Sequence, residues 1–144
     1  MLYRNYIDKV VLSTIPHYIS LFFIFNNDMN DNKYYIVYIV TVIISSTLSL
    51  YWHILKEPKN IVFYADYLFA VIWTILEIIL ITIKGDFSDI IAVIFLNKLV
   101  FITNQLVNYL SKKDIIIYEK GHSIWHILSS LKCIYVSYLI GYKY

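Results

Sequence analysis

The sequence predicts an all-α membrane protein, a polytopic bundle of about five transmembrane helices. Of its 144 residues, 60% are hydrophobic and only 15% are charged, and the mean hydropathy is +0.64. A soluble domain of this length exposes far more charge. Five apolar stretches are long enough, or nearly so, for the roughly 20 residues that a helix needs to cross a bilayer. They cover approximately residues 10–25, 34–56, 61–83, 88–110 and 121–142.

Short polar connections separate these stretches, and no internal repeat or second domain interrupts them, so residues 1–144 are predicted to form one transmembrane domain. The first stretch is interpreted as a retained helix, because Phe25-Asn26-Asn27 is not a small-residue cleavage site. Pro16 is expected to kink this helix. We expect the adjacent His17 to be a hydrogen-bonded interior histidine. Pro58 ends the second helix.

The distribution of basic residues predicts the topology. Seven lysines and arginines lie at the N-terminus and in the loops after the second and fourth helices, and three lie on the opposite side. The positive-inside rule therefore predicts a cytosolic N-terminus. The net charge of +2, with no basic run, indicates no nucleic-acid partner. Cys133 is the only cysteine, so no intrachain disulfide forms.

Three short segments carry the residues that point to chemistry. His122 and His126 are four residues apart, so on a helix both imidazoles lie on one face, the spacing that lets one helix hold one metal ion. Ser49 and His53 have the same spacing near the end of the second helix, and Asp66 lies near the start of the third. The predicted topology places all five at similar depth near one leaflet.

Three histidines with one open position are the ligand set of a catalytic zinc. We therefore expect His53, His122 and His126 to bind Zn²⁺, which lowers the pKa of bound water to about 7. Asp66 is the candidate general base or an orienting residue. Ser49 is placed to hydrogen-bond the water or a developing oxyanion.

Other interpretations of these residues stay open. Bis-histidine haem ligation uses one histidine from each of two helices and gives Asp66 no role. A Ser49-His53-Asp66 hydrolase requires two residues of adjacent turns to face each other. The polar residues of these motifs can also be ordinary residues at the depth of the lipid headgroups that form no binding site. Elsewhere, we expect Glu77 to form an intramembrane ion pair with Lys98, and Lys132 lies at similar depth.

The order Ser-x3-His, then Asp on the next helix, then His-x3-His on the last helix resembles the CREST superfamily. This group includes the alkaline ceramidases and the adiponectin and progestin receptors. The resemblance covers Ser49, His53, Asp66, His122 and His126. It implies zinc on the three histidines and hydrolysis of a lipid amide or ester within a helical bundle. The family has seven spans, whereas this sequence predicts five. Because the difference is two spans, the helix that carries His122 still enters the membrane from the same side as in the family.

The function that we predict is a zinc-dependent intramembrane lipid hydrolase, ceramidase-like, with a membrane lipid as substrate. The alternative is a non-enzymatic receptor-like or structural membrane protein, with a structural zinc or no metal.

Overall fold

The computed structural model describes residues 9–25, 33–55, 60–110, 112 and 115–143, which are helical almost throughout and contain no strand. The all-α prediction is confirmed. In chain order the elements are α1 (Lys9–Thr14), a 3₁₀ turn (Ile15–Tyr18), α2 (Ile19–Phe25), α3 (Lys33–Leu55), α4 (Ile61–Lys84), α5 (Phe87–Leu110), α6 (Ile115–Tyr138) and a π-helical turn (Leu139–Lys143).

Four of the helices, α3 to α6, are long and apolar enough to cross a membrane, whereas Lys9–Phe25 is a shorter apolar helix. The predicted first span is divided into three pieces at Pro16, which lies in the first turn of the 3₁₀ segment. Proline has no N–H to donate to the preceding turn, so the α-helical hydrogen bonding is interrupted there.

The last helix differs most from its predicted bounds. It begins at Ile115 and not at Gly121, so most of the polar connection predicted between residues 110 and 121 is helical instead. The charges of Glu119 and Lys120 are what indicated a loop. Both side chains are exposed on a helix end, where water solvates charge and the helix continues without penalty.

Side-chain caps define where α4 and α5 begin. The Asn60 side chain accepts a hydrogen bond from the Phe63 N–H at 3.1 Å at the start of α4. The Asp86 side chain accepts one from the Asp89 N–H at 3.0 Å, and the Asp89 carboxylate accepts one from the Asp86 N–H at 3.4 Å. This reciprocal arrangement is a capping box, and it sets the tight α4–α5 connection at residues 85–86.

The helices pack around α6, which contacts α1, α2 and α5, while α3 pairs with α4. Gly121 permits the close approach of α6 and α5, since a Cβ there would lie 2.8 Å from Cγ2 of Val107. Small residues at such contacts are typical of helix packing in membranes, where close backbone approach provides the dispersion energy.

Apolar and polar residues are distributed as expected for a protein in lipid. Large apolar side chains face outward along every long helix, among them Ile36, Phe95 and Phe101. The apolar core fills the half of the bundle away from the three motif histidines, around Tyr38, Val42, Leu80, Ile81, Val93, Val136 and Ile140. Buried serines, histidines and charged residues occupy the rest of the interior, as polar groups in spans do.

A buried ion pair crosses this interior. Lys132 Nζ of α6 lies 2.5 Å from Glu77 Oε2 of α4, with the two side chains 4% and 0% exposed. Lys132 also donates a hydrogen bond to Asn97 Oδ1 of α5 at 3.2 Å. The expected ion pair is therefore made by Lys132, and the prediction that Lys98 pairs with Glu77 is wrong. Helix phase decides this, because Asn97 faces inward and the adjacent Lys98 is exposed.

Replacing one partner of this pair should destabilise the bundle more than replacing both. Glu77→Leu leaves the Lys132 ammonium buried without its counter-charge, which costs about 3–5 kcal/mol in buried pairs. Glu77→Leu with Lys132→Met should recover most of that loss. Thermal unfolding in detergent measures both variants. Equal unfolding temperatures for the single and the double variant would contradict this role of the pair.

Candidate metal centre

Three imidazoles from two helices meet inside the bundle. His53 comes from the last turn of α3, and His122 and His126 come from successive turns of α6. Their side chains are 8%, 5% and 2% exposed. The ring centroids lie 5.0, 5.0 and 4.8 Å apart, with each pair of rings edge-on. One nitrogen of each ring lies within 4.8 Å of the other two, so the group can hold a metal ion.

The donor set fits a divalent metal such as zinc. Nε2 of His53 and Nε2 of His126 are 2.9 Å apart, close to the separation of about 3.3 Å that tetrahedral Zn–N bonds of about 2.0–2.1 Å require. Nδ1 of His122 is buried without a hydrogen-bond partner among the described residues. A buried ring nitrogen in that state is costly, and a bond from it to a metal ion would remove the cost.

Aromatic side chains enclose the three imidazoles. The Tyr118 ring stacks on His122 at 4.9 Å. Trp125 contacts both His122 and His126, at 4.9 and 4.6 Å, and Trp52 contacts His53 at 4.7 Å. This packing fixes the ring orientations and keeps bulk water from the centre, so the site has low local polarity.

His17 lies beside the centre without belonging to the three-histidine group. The Ser130 hydroxyl donates to the His126 carbonyl at 2.7 Å, so His17 Nδ1–H donates to Ser130 Oγ and to the Thr14 carbonyl, each at 3.0 Å. The 3₁₀ turn at Pro16 directs His17 inward, with its ring 5.6 Å from that of Trp73. His17 is thus a hydrogen-bonded interior histidine, as the sequence predicts.

Asp66 and Ser49 form a second polar group next to the metal centre. Asp66 near the start of α4 is hydrogen-bonded by the side chain of Ser49 on α3. Both residues line a cavity that His126 also lines. The structure therefore brings Ser49 and Asp66 together with one another, and places both on the cavity that His126 of the three-histidine group lines.

The cavity has a volume of about 590 Å³, within the range of sites that hold small ligands. It is lined by residues of α3, α4, α5 and α6. Its lining includes apolar residues that are exposed on the outer surface of α4 and α5, among them Val71, Ile75, Ile94 and Phe101. A lipid chain in the bilayer therefore has an apolar route to the cavity.

The geometry favours a single metal over the other interpretations of these residues. A hydrolase triad needs the imidazole between serine and carboxylate, but Ser49 interacts directly with Asp66 and His53 Nε2 faces His126. Two haem ligands lie on opposite faces of a porphyrin, whereas these three imidazoles converge on one point.

Ser46 and Trp125 are among the polar residues of the cavity wall that sequence reasoning missed. Ser46 and Trp125 both line the cavity, and the Ser46 hydroxyl and the Trp125 Nε1–H are buried without hydrogen-bond partners among the described residues. Ser46 lies three residues before Ser49 and seven before His53. That helical spacing places it on the same face of α3 and is the signal in the sequence that indicates it.

Compared with protein-family models, with curated proteins and with solved structures, the chain matches none.

Metal content tests the centre directly. We expect about one zinc per chain in detergent-purified protein, and none in the His122→Ala/His126→Ala variant. His17→Gln is the matched control, because it changes the remaining interior histidine and leaves the three donors intact. Mass spectrometry gives the stoichiometry.

Added zinc should also raise the thermal stability of the wild-type protein and of His17→Gln. Binding to the folded state alone contributes about 2.7 kcal/mol at a free concentration of 100 times the Kd. The double alanine variant should show no such rise. Zinc retained at full stoichiometry by that folded variant would refute the assignment of the three donors.

Proposed function

We propose that this chain is a zinc-dependent intramembrane hydrolase that cleaves an amide or ester of a membrane lipid. The observation that carries the proposal is that His126, one of the buried three-histidine group, lines the same cavity as Asp66 and Ser49. The apolar rim of that cavity on the bilayer side supports a lipid as substrate. The sequence resemblance to the CREST superfamily supports the same reaction and a ceramide-like amide as the substrate to test first.

The residues of the cavity have distinct parts in the proposed reaction. His53, His122 and His126 would hold the zinc ion, which would lower the pKa of water at the site to about 7. Asp66 accepts the proton of the attacking water and returns it to the nitrogen or oxygen that leaves as the carbonyl–heteroatom bond breaks. The products are a fatty acid and an amine or alcohol. Ser49 orients the Asp66 carboxylate through its hydrogen bond.

The surroundings of the site support this chemistry. Tyr118, Trp52 and Trp125 exclude bulk water, which strengthens the interaction between the substrate carbonyl and the charges of the site. The proposed topology places the site near the cytosolic leaflet, with the N-terminus in the cytosol; the excess of basic residues on that side supports it.

A structural metal is the second candidate. In the described residues, α3 and α6 meet mainly through side chains, with the rings of His53 and His126 spanning the gap between them. An ion held there would join the two helices without any turnover, as in a receptor-like or purely structural protein.

Asp66→Asn separates the two candidates. The variant should keep one zinc per chain, because Asp66 is outside the donor set, and should lose hydrolysis at least about 100-fold, the contribution of a general base. The assay is release of fatty acid from long-chain amides and esters, with N-acyl sphingosine as the ceramide-like member. Glu119→Gln, an exposed acid at the same end of the bundle, should leave turnover unchanged.

The opposite results have definite meanings. If zinc stabilises the wild-type protein but no amide or ester in the panel is hydrolysed, the structural role of the metal is supported and the hydrolase is not. Full turnover in Asp66→Asn would exclude Asp66 as the base.

A further inference from the structure

A lysine in the middle of α5 has no polar partner within the part of the chain that the structure describes. Lys98 is the twelfth of the 24 residues of Phe87–Leu110, so its Cα lies about 18 Å from the Leu110 end, near the centre of a bilayer-spanning helix. It is exposed and lines the cavity. Among the described residues it makes no ion pair or hydrogen bond, since Glu77 is paired with Lys132. Ionisable side chains at this depth are expensive and generally mark a functional site.

Other polar groups lie in the same layer of the cavity. Ser46 near the middle of α3 is 2% exposed, and its hydroxyl is buried in the cavity wall without a hydrogen-bond partner among the described residues. Asn97 and Lys132 complete the layer on α5 and α6. Among the described residues, the charged groups of this layer are Lys98, Lys132 and the Glu77 that pairs with Lys132, which leaves one positive charge uncompensated.

This layer is separate from the metal centre. Lys98 lies seven residues before Gln105, which lines the cavity nearer the Leu110 end of α5, and seven residues of helix rise about 10 Å. His126 belongs to the metal end, and neither Ser46 nor Lys98 belongs to the three-histidine group. The cavity therefore has two polar ends, the metal end at His126 and a second end at Ser46 and Lys98, named here the inner end. An unbranched alkyl chain lying wholly inside the cavity would leave the polar groups of the inner end without partners.

We propose that the inner end of the cavity binds the oxyanion, carboxylate or phosphate, of a single-chain lipid, with Lys98 as its charge partner and Ser46 as a hydrogen-bond donor. The alkyl chain leaves through the apolar rim between α4 and α5, past Val71 and Phe101, into the bilayer. An oxyanion bound there would neutralise the charge of Lys98 and accept a hydrogen bond from the Ser46 hydroxyl. This site does not depend on a metal or on the proposed hydrolysis.

Binding to metal-free protein tests the proposal. Chelator-treated wild-type protein in uncharged detergent is titrated with oleate, oleyl phosphate and oleyl alcohol, which differ only in the head group. At least one of the two anions should bind about tenfold or more tightly than the alcohol. The tighter anion identifies the source, a fatty acid or a lipid phosphate. Equal affinities for all three ligands, or no binding of either anion, would overturn the proposal.

Matched variants assign the preference to the inner end. Lys98→Gln should lose the preference for the anion and keep the affinity for the alcohol. Lys84→Gln is the control, because Lys84 lies at the end of α4, over the Tyr35 ring, and does not line the cavity. Ser46→Ala should weaken anion binding about threefold to tenfold. A preference that persists in Lys98→Gln contradicts the site.

Fluorescence quenching gives the orientation of the chain. Trp73 lies in the inner layer, with Lys132 Nζ 6.0 Å from its ring, and is the single tryptophan left in a Trp52→Phe/Trp125→Phe background. Stearate brominated near its carboxylate should quench Trp73 more strongly than stearate brominated near its methyl end. The reverse order would place the carboxylate at the metal end and exclude the proposed site.

The same titrations with zinc-loaded protein keep the two proposals apart. The effect of Lys98→Gln on anion affinity should be the same with and without zinc. An effect seen only with zinc would assign the anion to the metal centre and overturn the inner site. If zinc binding or hydrolysis fails, by contrast, anion binding to metal-free protein still tests the inner site.

Discussion

The structure depends on one constraint: polar groups inside a membrane bundle must be satisfied by one another, since the bilayer core offers no water. The interior is accordingly organised by polar contacts that link distant helices. Lys132 joins α6 to Glu77 of α4 and to Asn97 of α5, and His53 joins α3 to α6. Many large apolar side chains face outward, and the apolar core occupies only the half of the bundle away from the histidines.

The same constraint explains why the candidate functions lie in one place. Charges that the bundle neutralises itself, such as those of Glu77 and Lys132, serve packing. Groups left incompletely satisfied include the His122 Nδ1, the Ser46 hydroxyl and the Trp125 indole N–H, together with the exposed Lys98. The first lies at the metal centre and the others line the adjoining cavity. A metal ion and an amphiphilic ligand are the occupants whose chemistry would complete them.

Much of the candidate site is predictable because helical spacing is a local property. Residues four apart share a face whatever the rest of the fold does, so the spacing alone assigns His122 and His126 to one site. The expected depth of His53 near the same leaflet adds it to the pair. Ser46 escapes this reasoning even though its spacing is visible, because a serine facing a cavity and a serine bonded to its own helix look alike in sequence.

The sequence by itself determined the all-α membrane class, the approximate bounds of the long helices and the histidine pair, since hydropathy and periodicity are properties of contiguous segments. Only the tertiary structure decided which lysine pairs with Glu77, that Ser49 bonds Asp66, and where the cavity opens. Lys98 and Lys132 lie at comparable depth, and the rotation of each helix about its axis selects between them. That rotation is set by packing against several neighbours at once, which no local pattern records.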